Sequence, residues 1–181
     1  QRRANYLLAS EELEPGHGWQ YTEIFNYIAK NPSTSVVDLG KFMVDSFTGS
    51  LSHASTDGKT LSLVDLSKFG NVTATLDSFV STLTPVLASN LGKIAQAANK
   101  SEIYAKDTKK GSGFDFDFKS FLAELKKLNA NIDSSQLDTA LSNYIVYAKS
   151  DTTRPRATGV AIFDLNNTQH VTKNSYTTNR A

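Results

Sequence analysis

ANYLLASEELEPGHGWQY, residues 4–21, changes character within a few positions. Tyr6, Leu7, Leu8 and Ala9 form a continuous apolar run, the pattern of a strand buried on both faces, as in a parallel sheet covered by helices. Ser10, Glu11 and Glu12 then turn polar, which sets three hydrogen-bonding side chains at the carboxyl end of that strand. In open α/β sheets this is the edge where ligands bind. Pro15, Gly16 and Gly18 bend the loop that follows, and Trp19, the one tryptophan of the chain, offers a large rigid wall at low entropic cost. A cationic ligand suits the acids. The plain alternative is an ordinary strand-to-loop junction with solvated glutamates and a core tryptophan.

Outward from this stretch, strand and helix patterns alternate. Thr22 is a candidate N-cap for a helix through Lys30, with Ile24, Phe25, Tyr27 and Ile28 on or near its buried face, and Asn31-Pro32 stops it. Thr34 or Ser35 caps a second helix in which Val37, Phe42, Met43 and Phe47 recur at helical spacing, ending near Gly49. Asp57-Gly58 marks a turn before a strand at residues 61–66. Residues 72–98 are long and apolar-periodic, and Pro85 in their middle predicts a kink or two helices. Residues 101–112 are polar and read as a surface loop. Helices are expected over 118–128 and 134–149, the latter capped by Asp133 or Ser134. A loop at 151–158 carries Arg154 and Arg156, and a strand at 160–165 follows it.

Composition narrows the function classes. The 181 residues are 39% hydrophobic, enough for one sizeable core or for part of a larger one. Nineteen basic and 18 acidic residues leave a formal charge of +1, which gives no reason to expect nucleic acid or an anionic membrane as partner. No apolar run reaches the length a transmembrane helix needs. The absence of cysteine excludes disulfides and thiolate metal sites within these residues. His17, His53 and His170 lack ligand spacing and read as surface residues. Asp115 and Asp117 alternate with Phe114, Phe116 and Phe118; an extended chain places both carboxylates on one face, whereas a helix start uses them as acids favoured by the dipole. Asn71-Val-Thr, Asn99-Lys-Ser and Asn166-Asn-Thr are formal glycosylation sequons.

The opening stretch resembles the clostripain family of cysteine peptidases, the C11 group of the caspase-like clan. NPSTSVVDLGKFMVDSF (31–47) is similar to the family's helix after the pocket loop, and LSLVDLSKF (61–69) to the strand and helix start that follow. FDFDFKSFLAEL (114–125) resembles its aspartate-rich helix start, and RATGVAIFDL (156–165) its last core strand, though GVAIFDL departs from the family's more aromatic, proline-terminated version. The resemblance implies an α/β fold, the C-terminal part of a caspase-like sandwich with a mostly parallel sheet flanked by helices. Residues 1–165 are expected to form this part of the peptidase domain and 166–181 an irregular tail.

The resemblance also implies an activity and places part of it elsewhere. The family's nucleophilic cysteine is expected shortly before Ala4 and its catalytic histidine further upstream, so no catalytic residue is expected in this chain. An upstream segment or a separate light chain is the implied partner that carries the dyad. The chain is expected to supply the substrate wall of an endopeptidase cleaving after Arg or Lys. Ala9 and Ser10 are expected to offer backbone contacts, Glu11 or Glu12 to help hold the basic P1 side chain, and Trp19 to form an apolar wall. The family's P1 specificity also uses an acid just before the cysteine. Calcium is a cofactor candidate because the family has calcium-dependent members, and secretion or display on a bacterial surface is implied in the same way. The alternative is a non-catalytic peptidase homologue that binds peptides or partner proteins.

Overall fold

The structure is a computed structural model and describes residues 4–14, 18–49, 58–104, 115–128 and 132–163. Two small sheets organise it. The first has strand order β1 (Tyr6–Ala9), β2 (Thr60–Asp65), β5 (Ile145–Ser150), and the second β3 (Ile103–Tyr104), β4 (Asp115–Asp117), β6 (Ala161–Phe163). All four strand pairings are antiparallel, with Tyr6 opposite Asp65 and Thr60 opposite Ser150 in the first sheet. The mixed α/β class stands, but the mostly parallel sheet expected from the sequence is not what these strands form. The apolar run of β1 does not report burial on both faces: β1 is an outer strand, and Leu7 is 48% exposed. A continuous apolar run specifies an apolar strand, not the direction of its neighbour.

The central strand β2 separates two cores by its alternation. Leu61 and Leu63 point to one face, and Thr60, Ser62 and Val64 to the other, where Val64 joins the larger core; the pairing with β5 shifts register between Leu63 and Val64. Helix α2 (Val36–Gly49) lies on the first face, where Val44, Phe47 and Leu61 are almost fully buried and Leu8, Trp19 and Tyr147 pack around them. Burying each such side chain contributes about 1.5–3 kcal/mol. The contact is close because residue 40 is glycine: a Cβ there would lie 2.8 Å from Leu63 Cδ2. Helix α1 (Tyr21–Lys30) flanks α2, with Tyr27 stacked on Phe42 at a ring separation of 4.0 Å. Ser35, one of the two cap candidates, caps α2: its hydroxyl accepts the Asp38 N–H at 3.0 Å and donates to the Asp38 carboxylate at 2.7 Å. Helix α1 starts after Gln20 without a side-chain cap, not at Thr22.

The larger core lies under the other face. Pro85 interrupts the long periodic stretch as expected, giving α3 (Phe69–Leu83), a short 3-10 turn at Thr84–Val86, and α4 (Leu87–Lys100). These helices pack with α5 (Phe118–Leu128) and α6 (Ser135–Tyr144) around Val72, Phe79, Phe121, Leu125 and Leu141. Two expectations fail here. The helix expected over 134–149 ends at Tyr144, and Ile145-Val-Tyr continues as β5, because β-branched and aromatic residues fit a pleated surface and lose rotamer freedom in a helix. The expected surface loop at 101–112 begins instead with buried Ser101, Glu102 and Tyr104, the last at 0% exposure. Its remainder, the three histidines and residues 164–181 lie outside the described residues.

Candidate functional site

The segment after β1 is held by hydroxyls from β2. Thr60 Oγ1 accepts the backbone N–H of Glu11 at 2.9 Å and that of Glu12 at 3.1 Å. With both lone pairs used, its proton is left for Ser10 Oγ, 3.0 Å away. Two residues further along β2, Ser62 Oγ donates to the Gly159 carbonyl at 2.7 Å and lies 3.3 Å from the Ala9 carbonyl. Three polar residues that sequence reading set at the end of a strand are thus brought to the inner face of the sheet. They meet the 151–160 segment there.

Each glutamate has an internal partner. Glu11 Oε2 accepts the Gly159 N–H at 2.9 Å, while Glu11 Oε1 is buried with no hydrogen-bond partner. Burial, followed by the adjacent Asp117 carboxyl, pushes the Glu11 acid up to about 9, against the opposing pull of the Gly159 amide and the Tyr104 hydroxyl. Glu12 forms an ion pair with Arg154, the two side chains retaining 8% and 24% exposure. Arg154 also lies 3.8 Å from Glu102, and Arg156 3.6 Å from the same carboxylate. Arg156 further donates to the carbonyls of Lys100 and Ser101. The middle of the 151–160 loop is therefore fastened to Glu12, which follows β1, and to Glu102, which precedes β3.

Asp117 is the centre of the second layer. Its carboxylate accepts Ser120 N–H at 2.7 Å, Thr158 N–H at 2.6 Å, the Thr158 hydroxyl at 2.8 Å and the Tyr104 hydroxyl at 3.3 Å. The chain is extended at β4, as one sequence reading held, and Asp117 also caps α5, as the other held. Burial, then the charges of Glu11, Asp117 and Glu102, hold the Tyr104 phenol far above its ordinary range, so it serves as a donor at all ordinary pH. Burial, then the Glu12 charge, raises Asp115.

Trp19 sits apart from this polar cluster. Its ring packs against Phe47 at 6.3 Å between centroids, and its Nε1 donates to Glu14 Oε2 at 2.8 Å. The five residues singled out in the sequence thus form two groups: Ala9, Ser10, Glu11 and Glu12 in one hydrogen-bonded unit, and Trp19 on the α2 side. Sequence reading missed Thr60, Tyr104, Arg154 and Gly159. The only local signal among them was Gly159 in Thr-Gly-Val; the others acquire their role through pairing across the fold.

No group of three His, Asp or Glu side chains among the described residues is disposed to hold a metal ion. Both carboxylate oxygens of Asp117 accept protein donors. No described helix is long and apolar enough to cross a membrane.

Comparisons with known proteins bear on this arrangement as a whole. The chain is similar in structure to the crystal structure of a clostripain from Bacteroides thetaiotaomicron ATCC 29148 in complex with the peptide inhibitor BTN-VLTK-AOMK. The TM-score is 0.54 at 16% identity, over 86% of this chain and 63% of that one. It is also similar to a B. fragilis cysteine protease, with a TM-score of 0.52 at 16% identity, over 90% of this chain and 65% of that one. At this identity the likeness establishes the fold, and the chain spans less than two thirds of either protein. No curated protein matches the sequence. Residues 1–111, which include β1, the acidic segment and β2, match the model of the clostripain family of C11 peptidases, and the chain belongs to that family.

Proposed function

We propose that this chain forms the substrate side of a cysteine endopeptidase that cleaves after Arg or Lys, with the catalytic His and Cys on an upstream segment or a separate chain. The observation that carries the reading is the family match over residues 1–111, which contains the acidic segment after β1. The peptide inhibitor held by the similar Bacteroides clostripain ends its peptide part in lysine, which supports a basic P1 residue. In this reading an upstream thiolate attacks the scissile carbonyl, an upstream imidazole moves the proton, and backbone amides hold the oxyanion.

The residues of this chain bind and orient. β1 is an outer strand with no second strand partner among the described residues, which supports reading Ala9 and Ser10 as backbone contacts for an extended peptide, a form of strand addition. Trp19, braced by Phe47 and Glu14, is the apolar wall. Glu12 is the better candidate of the two glutamates for contact with a basic side chain, because Glu11 faces Asp117. A carboxylate already paired with Arg154 lends only part of its charge, so its contribution is auxiliary to an acid outside this chain. Secretion or surface display belongs to the same proposal, through the family.

The test is cleavage of short fluorogenic peptides bearing Arg, Lys, Asp or Ala at P1 by the full-length parent, with and without thiol alkylation. The expected result is cleavage after Arg and Lys only, abolished by alkylation. Cleavage after Asp alone overturns the basic specificity, and activity that survives alkylation overturns the cysteine mechanism. Glu12→Gln is expected to raise KM for basic substrates, and an unchanged KM places the whole of P1 recognition outside this chain.

A further inference from the structure

Consecutive amides of the final loop, Thr158 N–H and Gly159 N–H, are shared between two different carboxyl groups: the first donates to Asp117 Oδ2 at 2.6 Å and the second to Glu11 Oε2 at 2.9 Å. Such a fork sets the two carboxyls side by side. Their remaining partners are unequal. Asp117 receives donors on both oxygens, from Ser120 N–H, the Thr158 hydroxyl and the Tyr104 hydroxyl. Glu11 Oε1 is buried and receives none. An ionised Glu11 would leave that oxygen as an unpaired buried charge beside a second charge, which is costly. A proton on Oε1 removes the difficulty, since a carboxylic O–H has an acceptor in Asp117 and needs no further donor.

We propose that Glu11 and Asp117 form an acid pair sharing one proton, with Glu11 the donor and Asp117 the acceptor, and that this pair is a positioning device which locks the segment after β1 onto the second sheet. The groups facing it come from every side: Asp117 from β4, Tyr104 from β3, Thr158 and Gly159 from the final loop, and Thr60 from β2 through the Glu11 backbone. The nearest further charges are the Glu12–Arg154 pair and Glu102 with Arg156. No cation lies against Glu11 itself in the contacts described, so protonation is opposed only by the Gly159 amide and, more weakly, by the Tyr104 hydroxyl. The pair extends the proposed substrate wall, yet it depends on packing alone and stands whether or not the parent cleaves peptides.

The substitutions have opposite expected signs. Glutamine at position 11 reproduces the protonated acid, with its oxygen accepting from Gly159 and its amide donating to Asp117. Asparagine at position 117 must turn an NH2 toward the donors of Ser120, Thr158 or Tyr104. The experiment is thermal unfolding of the full-length protein from pH 5 to 10 for wild type, Glu11→Gln and Asp117→Asn, with infrared difference spectra of wild type against Glu11→Gln at pH 7. The wild type is expected to lose stability relative to Glu11→Gln as pH rises, by a slope approaching one proton, and to show a protonated carboxyl band that the variant lacks. Asp117→Asn is expected to unfold at lower temperature across the whole range. Parallel pH curves for wild type and Glu11→Gln, a missing carboxyl band, a Glu11→Gln protein that does not fold, or an Asp117→Asn protein as stable as Glu11→Gln would each overturn the pair.

Discussion

The Thr60 hydroxyl accepts the backbone N–H of Glu11 at 2.9 Å, and through this bond the middle strand of the first sheet sets the conformation of the segment that leaves β1. The same oxygen takes the Glu12 N–H and touches Ser10 Oγ. Thr60 is itself fully buried, so no water replaces it. Thr60→Val keeps the shape and removes the acceptor. It is expected to lower stability by about 1–3 kcal/mol, the cost of buried donors left without a partner, and to speed amide exchange at Glu11 and Glu12. Thr60→Ser should retain most of the stability, and a valine variant with unchanged exchange would refute the role.

Arg154 joins acids from two sheets. Removing it leaves Glu12 and Glu102 with 8% and 9% side-chain exposure and one counter-charge fewer. Arg154→Ala is expected to cost about 3 kcal/mol, since a buried charge stripped of its partner is far more expensive than the intact pair is favourable. A double-mutant cycle with Glu12→Gln should recover part of that loss. Strict additivity in chemical denaturation would show that the two side chains do not interact.

Gly159 has φ of +115°, and a Cβ there would lie 2.9 Å from Ala148 Cβ and 3.0 Å from Ser62 Cβ. Its amide and carbonyl are also both used, by Glu11 and Ser62. Gly159→Ala therefore combines backbone strain with a contact that neither neighbour can yield, and a loss of about 2 kcal/mol or more is expected. A thermal midpoint within a degree of wild type would contradict the geometry.

Asp151 closes the end of the β2–β5 ladder. Its carboxylate accepts Lys59 N–H at 2.9 Å, Thr153 N–H at 2.9 Å and the Thr153 hydroxyl at 2.6 Å. Burial would raise this acid, but the donors from Thr153 and Lys59 outweigh it and hold the group below its ordinary value. A depressed acid stabilises the fold above its unfolded-state value, about 4, and loses that contribution as pH falls through the folded one. Asp151→Asn is expected to flatten this part of the acid-unfolding curve, with the difference from wild type largest at neutral pH and shrinking below about pH 4. An undiminished difference at pH 2 would assign the effect to packing.

Local signals carried much of the architecture. A cap at Thr34 or Ser35, the stop at Asn31-Pro32, and the division of the long apolar stretch at Pro85 were legible because capping, proline geometry and 3.6-residue spacing act within one turn of chain. The strand at β5 was not, since Ile145-Val-Tyr follows a helix without a break in periodicity. Ala9, Ser10, Glu11 and Glu12 were legible as a polar cluster, and their partners were not. Arg154 and Tyr104 stand in segments that read as exposed loops.

The amino-acid sequence by itself determined where most helices and strands lie and which family the chain joins, because propensity, caps and motif spacing are properties of neighbouring residues. The tertiary structure alone decided that the strands run antiparallel and that Glu11 faces Asp117 while Glu12 faces Arg154. Strand direction and charge pairing depend on which distant segments share a buried interface. There the cost of leaving a carboxyl or an amide unpaired selects one arrangement, and no local pattern encodes it.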